Sequence, residues 1–209
     1  MNILSIDTVL DKTYIALLLN GKKIFKTLES DEKCYHSAYL IKALDDILKE
    51  NNSSLQDINY IGANTGVGSF TGIRVGLSIA KIISNRLNIS AISYQTFEVL
   101  SRAYLNKNIM FDARRNSVFY SNNGLDIELV SYEKAEEILK SGEKFICDNS
   151  LLKKFDKYKD NLISYEENGV NLAKYELELV IEKIENNKIT DFAGLKPTYI
   201  QTPPIFSKN

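Results

Sequence analysis

The first thirty residues reverse direction twice over spans too short for anything but hairpins, and after about residue 33 the apolar period changes. Residues 2–8 are mostly apolar, and Tyr14-Ile15-Ala16-Leu17-Leu18-Leu19 forms a second apolar run. Between them Val9 to Lys12 are short enough to make a hairpin turn. Asn20-Gly21, the dipeptide that most readily takes two positive φ angles, then turns the chain into residues 22–28. There Ile24 and Leu28 alternate roughly with Lys and Thr. Three antiparallel strands are expected. Beyond Lys33, Leu40, Ile41, Leu44, Ile47 and Leu48 recur at helical spacing, until Asn51-Asn52-Ser53-Ser54 ends the helix.

Ile58-Asn59-Tyr60-Ile61-Gly62-Ala63 reads as the next strand. It runs into the glycine-rich stretch Gly66-Val67-Gly68-Ser69-Phe70-Thr71-Gly72, with a helix to about Arg86, a fifth strand over residues 89–93 and a helix over 96–105. A three-strand meander followed by helix, strand, helix, strand is the order of a ribonuclease-H-like or actin-like domain, with parallel pairing through right-handed crossovers. The remainder repeats that theme less fully. Strand runs at 109–111 and 118–120 flank a loop at 112–117, a strand follows at 127–130, and Gly142 stops a short helix over 132–140. Another strand is expected at 144–147, and Val170, Ala173, Leu177, Val180, Ile181 and Ile184 mark a longer amphipathic helix. Pro197 precedes a last strand at 198–201, which Pro203-Pro204 forbids from continuing. The expected class is therefore α/β, with an actin/Hsp70-like domain on a mixed five-stranded sheet (residues 1–105) and a smaller, degenerate α/β domain (106–209).

Composition narrows the partners. Lys+Arg 26 against Asp+Glu 27 leaves a formal charge of −1, so no field of one sign covers the molecule and a large basic nucleic-acid footprint is not expected. The most apolar helical stretch, residues 73–83, contains Lys81 and follows Arg74, well short of the ~20 apolar residues a membrane span needs. Met1-Asn2-Ile3-Leu4-Ser5-Ile6-Asp7 has no basic region ahead of an apolar one, so no signal peptide is read. Cys34 and Cys147 lie far apart and outside any C-x-x-C pattern, as reduced thiols in a cytoplasm would.

Chemistry-bearing residues are few. Gly66, Gly68 and Gly72 sit between a strand and a helix, where backbone N–H groups and the helix dipole favour an anion, and Arg74 in the first turn adds a charge. No Lys follows the last glycine as in a Walker loop, and the spacing is one residue too wide for the dinucleotide fingerprint. A tight turn that lets helix and strand pack closely is the other reading. Asp7, Gly66, Gly68, Ser69, Thr71 and Arg74 are thus the candidate contacts for a nucleotide or anion. Gly72, Gly76, Ala80 and Ser84 form one stripe of small residues that admits a neighbouring helix, inside the chain or from a partner. His36 is the sole histidine, so a histidine pair for a metal cannot be built within one chain. Asp7 and Asp112 each end an apolar strand that opens one half of the chain. They either face each other across a cleft or cap turns, and the second reading is preferred because no glycine follows Asp7 closely enough to bring backbone to a phosphate. All five arginines, Arg74, Arg86, Arg102, Arg114 and Arg115, lie in the middle of the chain.

Several of these stretches form a pattern. Ile6-Asp7-Thr8, His36-Ser37, Gly66-Val67-Gly68-Ser69-Phe70-Thr71-Gly72-Ile73-Arg74-Val75-Gly76, Phe111-Asp112-Ala113-Arg114 with Val118-Phe119-Tyr120, and Lys196-Pro197-Thr198-Tyr199-Ile200 occur in order nearly end to end. Together they resemble the TsaB (formerly YeaZ) family, a subunit of the bacterial machinery that makes threonylcarbamoyladenosine in tRNA. Val67 stands where that family usually has proline, and the second half is short.

The resemblance implies an actin/Hsp70-like fold and a subunit that performs no chemistry and carries no cofactor. It implies a TsaD-type catalytic partner holding a His-x-x-x-His metal motif, where this chain reads Ser93-Tyr94-Gln95-Thr96-Phe97-Glu98. It also implies a TsaE-type ATPase that joins the pair, tRNA reached through the complex, and a cytoplasmic location. Helices over 35–49 and 72–86 are the expected contact surface, with Tyr35, Tyr39, Gly72, Ile73, Gly76, Leu77 and Ala80 at its centre, and the same face could serve a homodimer. The competing class is an autonomous small actin-like ATPase or sugar kinase using Asp7, the glycine loop and Asp112. A peptidase is a third, with one histidine and no partnered cysteine to support it.

Overall fold

Strand formation begins where apolar residues are densest. The computed structural model describes residues 1–29, 36–105 and 108–200. β1 (Ile3–Asp7), β2 (Thr13–Leu19) and β3 (Lys22–Leu28) form the expected antiparallel meander. Asn20 and Gly21 take φ angles of 50° and 83°, the two positive values of a tight hairpin turn, and Leu19 pairs with Lys22. α1 (His36–Glu50) leads to β4 (Tyr60–Asn64), which pairs parallel with β1; α2 (Phe70–Leu87) leads to β5 (Ser90–Tyr94), parallel to β4. The sheet order is β3-β2-β1-β4-β5. α3 (Thr96–Tyr104) follows.

The second half builds another five-stranded sheet from β6 (Ile109–Arg114), β7 (Ser117–Ser121), β8 (Glu128–Ser131), β9 (Phe145–Cys147) and β10 (Leu162–Ser164), in the order β10-β9-β6-β7-β8. Its short helices are α4 (Tyr132–Leu139) and α5 (Asn149–Lys154). α6 (Leu172–Glu185) then returns to the first sheet, packing on β2, β1, β5 and α3.

Burial follows that layering. On one face Leu4, Ile6, Ile15 and Leu17 meet Leu40, Leu44 and Ile47 of α1 and Ile73, Leu77 and Ile83 of α2. On the other, Ile3, Tyr14, Ala16 and Ile92 meet Phe97 and Leu100 of α3 and Ala173, Leu177 and Val180 of α6. β1 and β2 are buried along their whole length, which explains why they read as continuous apolar runs rather than alternating ones. Met110, Val118, Phe145 and Leu162 build a third core with Ala135 and Leu139 of α4 and Leu151 of α5. No helix among the described residues is long and apolar enough to cross a membrane.

Two expectations are corrected. Residues 112–117 are not a loop: β6 runs to Arg114, which pairs with Ser117 across a two-residue turn at Arg115 and Asn116. Residues 198–200 form no strand, although Thr198 N–H donates to the Thr65 carbonyl (2.8 Å); Gln201 lies outside the described residues. Between β9 and α6 the structure adds α5 and β10, which sequence reading did not assign because six and three residues are too few to show a period. Cys147 is the buried strand residue expected, its thiol pushed up to about 12 by burial; Cys34 lies outside the described residues.

Candidate functional site

The glycine loop is held shut by its own hairpin. Gly68 has φ of 150°, and a Cβ there would fall 2.7 Å from the Val9 carbonyl oxygen. That carbonyl, in the β1–β2 turn, accepts from Ser69 N–H at 2.9 Å. A Cβ on Gly72 would fall 1.8 Å from Thr8 O, so only glycine lets α2 lie against this turn. Thr8 Oγ1 fastens the contact by donating to the Gly72 carbonyl at 2.6 Å. Ser69 caps the helix, accepting from Gly72 N–H at 3.1 Å. Gly66 is buried, its N–H donating to Asn64 Oδ1 (2.9 Å) and its carbonyl accepting from Thr96 N–H (3.0 Å). Of the two readings of the glycines, close packing of helix on strand is the one the geometry supports.

Beside the loop lies a cleft of about 740 Å³, bounded by the loop, the β1–β2 turn, β6 and β7 with their turn, and residues 198–200. Gly68, Ser69 and Thr71 line it, but Asp7 and Gly66 do not. Asp7 lies beneath the surface, accepting from Val9 N–H and Asn64 Nδ2, both at 2.6 Å. Asp112 does line the cleft, so the two aspartates do not face each other across it. Asp7 caps a turn through Val9, and Asp112 does so through Arg114 N–H at 3.0 Å, as preferred from sequence. Arg74 stacks over the Phe70 ring at 3.9 Å and donates from Nε to the Tyr199 hydroxyl at 3.4 Å.

The cleft is lined by carboxylates: Asp11, Asp112, Asp148 and Glu166. Asp112 Oδ1 also accepts from the Tyr132 hydroxyl at 2.9 Å. Asp148 caps α5, accepting from Leu151 N–H (2.8 Å) and from Asp112 N–H (3.1 Å), and burial pushes its carboxyl up to about 6. Glu166 accepts from both Asn149 N–H and Nδ2 at 2.9 Å. These bonds hold the acids in place, and like charges so close repel a phosphate. Arg114 and Arg115 sit at the lip with φ of 60° and 48°, left-handed values uncommon for arginine. No histidine, cysteine or lysine lines the cleft among the described residues.

The helices tell a different story from the one their small residues suggest. Gly72, Ile73, Gly76, Leu77 and Ala80 are all buried inside the chain, because the stripe faces Thr8 and the first sheet. They are not a surface, and enlarging Gly72 or Gly76 would unseat α2 from its own core. The outward residues of α2 are Phe70, Thr71, Arg74, Ser78, Ile82, Asn85 and Arg86, with Val75 and Ile79 half-buried between them. Ile82 is 67% exposed; on neighbouring α1, Ile41 is 61% exposed and Tyr39 56%. Of the two tyrosines expected at the contact surface, Tyr39 is exposed and Tyr35 lies outside the described residues. Ile41 and Ile82 escape sequence reasoning, because an apolar residue on an amphipathic helix reads as core. Glu176 also escapes it, although a carboxylate between Ala173, Leu177 and Val180 on an apolar face is a legible anomaly.

The family model described as "TsaD: tRNA N6-adenosine threonylcarbamoyltransferase" matches residues 31–197. The TsaB of Buchnera aphidicola from Acyrthosiphon pisum, a tRNA threonylcarbamoyladenosine biosynthesis protein, is 28% identical over 206 residues, covering 88% of this chain and 90% of its own. The TsaB of Buchnera aphidicola from Schizaphis graminum is 30% identical over 66% of this chain and 68% of its own, and that of Escherichia coli K12 29% over 67% and 63%. The solved structure of YeaZ from Pseudomonas aeruginosa superimposes with a TM-score of 0.74 at 16% identity, covering 95% of this chain and 99% of that one. A second Pseudomonas aeruginosa structure, of an uncharacterized protein with similarity to peptidase YeaZ, gives 0.77 at 15% identity over 96% and 99%. Both share the fold of this chain, whose two mixed five-stranded sheets follow the actin-like order. The chain belongs to the TsaB (YeaZ) family, within the wider relationship that the TsaD model describes.

Proposed function

We propose that this chain takes part in tRNA threonylcarbamoyladenosine biosynthesis as a subunit that performs no chemistry and binds a TsaD-type catalytic partner through the outer face of α1 and α2. The observation that carries the reading is the exposure of Tyr39 and Ile41 on α1 and of Ile82 on α2, two helices that contact each other. Buried against a partner, a large aliphatic side chain contributes about 1.5–3 kcal/mol. A stable interface of this kind covers on the order of 1,600 Å² in total. Val75 and Ile79 extend the apolar strip along α2, while Gly72, Gly76 and Ala80 act from behind it by setting how α2 lies on the sheet.

On this reading the TsaE-type ATPase joins the assembled pair, tRNA is engaged through the complex, and the same face serves a homodimer when the partner is absent. The autonomous ATPase gains nothing from the geometry: the cleft is acidic and Asp7 is turned away from it. The test is reconstitution. Purified chain with tRNA and threonylcarbamoyl-adenylate should give no modified tRNA until a TsaD-type protein is added, and Ile82→Asp should remove the stimulation. Modification by the chain alone would end the reading.

A further inference from the structure

Beneath the first sheet's α6 face, two carboxyl groups meet where no cationic side chain of the described residues reaches them. Asp7 is 1% exposed and Glu176 is 0% exposed. Asp7 accepts from Val9 N–H and Asn64 Nδ2, whereas neither Glu176 oxygen has a donor at hydrogen-bonding geometry among the described residues. The groups close enough to act on Glu176 are the Asp7 carboxyl and the Tyr94 hydroxyl, and that hydroxyl is shared with Ser5 Oγ at 3.0 Å and the Ile6 carbonyl at 3.4 Å. Two ionised carboxylates in contact and out of water are unstable, but one proton turns the same contact into a hydrogen bond. We propose that Glu176 is protonated at neutral pH and donates to Asp7, a one-proton latch that fastens α6, and with it the second half of the chain, to β1.

Among the described residues, the surroundings leave the proton as the only neutralising charge. β1 contributes Asp7, the β1–β2 turn Asp11, β2 Tyr14 and β5 Tyr94, all acids, and burial above all, with the neighbouring carboxyls adding to it, holds both tyrosines above the ordinary phenol range, as neutral hydroxyls. On α3, Glu98 pairs with Lys183 and Arg102 with Glu182 on more C-terminal turns of α6; Lys22 and Lys23 of β3 are exposed and Lys26 is half-buried. Burial pushes Asp7 up to about 6 and Glu176 well above the ordinary glutamate range. Carboxyls raised on folding bind protons that the unfolded chain has shed, so the contribution of this pair to stability is greatest in acid and falls as pH rises above about 4.

The test is urea unfolding of the full chain from pH 5 to 8, wild type against Glu176→Gln. The glutamine is neutral at every pH and keeps a donor for Asp7. One latched proton makes the wild-type unfolding constant rise about tenfold more per pH unit than that of Glu176→Gln, and amide exchange in α6 should accelerate with pH in the wild type alone. Equal slopes for the two proteins would overturn the latch. Should Glu176→Gln fail to fold, carbon-13 NMR of the wild type decides: one glutamate carboxyl still protonated at pH 7 supports the latch, and every glutamate ionised defeats it. A melting temperature that falls on adding chelator at fixed pH would also defeat it, by placing a metal ion where the proton is assigned.

Discussion

Counted outward from β1 and from β6, the two sheets run in the same order: a central strand, two antiparallel strands on one side and two parallel strands on the other. They differ in what covers them. β1 and β2 are buried on both faces beneath α1 and α2 on one side and α3 and α6 on the other. In the second sheet β9 and β10 have three residues each, α4 and α5 eight and six, and β8 has no buried residue. The same topology thus yields a thick half, whose fifteen- and eighteen-residue helices have an outer face to offer, and a thin half that completes the cleft wall and lends α6 back. We propose that the boundary near residue 105 separates a half that docks from a half that shapes it.

The largest expected difference between the halves is at glycine. Gly72→Leu forces a Cβ onto the Thr8 carbonyl and should cost more than about 4 kcal/mol, leaving little folded protein in circular dichroism. Gly142→Ala, with φ of 79° in open space, should cost about 1 kcal/mol by urea titration. Next comes core deletion. Phe97→Ala, in the first core, should cost about 3–5 kcal/mol, and Leu151→Ala, in the thinner one, about 2–3 kcal/mol, both read as shifts of the urea midpoint. A smaller effect is expected at Asp148. Its carboxyl is raised from 3.8 to about 6, so its contribution to stability falls as pH rises between those values and stays lost above. Asp148→Asn should flatten that part of the pH profile. Because the side chain is only partly buried, the gain at pH 7 should be at most about 2 kcal/mol in melting experiments at pH 5 and 7.

Sequence reading succeeds best in the thick half. Asn20-Gly21 gives away the β2–β3 turn, and the helical period of Leu40, Leu44 and Ile47 gives away α1. It is weaker in the thin half. The β6–β7 turn uses Arg115 and Asn116 at φ of 48° and 58°, where Asn-Gly would be the legible signal, so a hairpin reads as a loop. The candidate site is legible in its residues but not in their direction. Spacing groups Gly72, Gly76 and Ala80 on one face of α2, yet only the close approach of Thr8 decides that this face points inward. Asp7 is singled out by its place at the end of a strand, but its burial depends on α6, which arrives about 170 residues later and carries Glu176.

The most direct measurement is light scattering of the purified chain mixed with a TsaD-type catalytic subunit, comparing wild type with the double variant Ile41→Asp/Ile82→Asp. Both positions are exposed, so the variant should fold with stability within about 0.5 kcal/mol of wild type per site. The account predicts a heteromeric complex for the wild type and separate subunits for the variant. A variant that still assembles, or a folded wild type that never does, would contradict it.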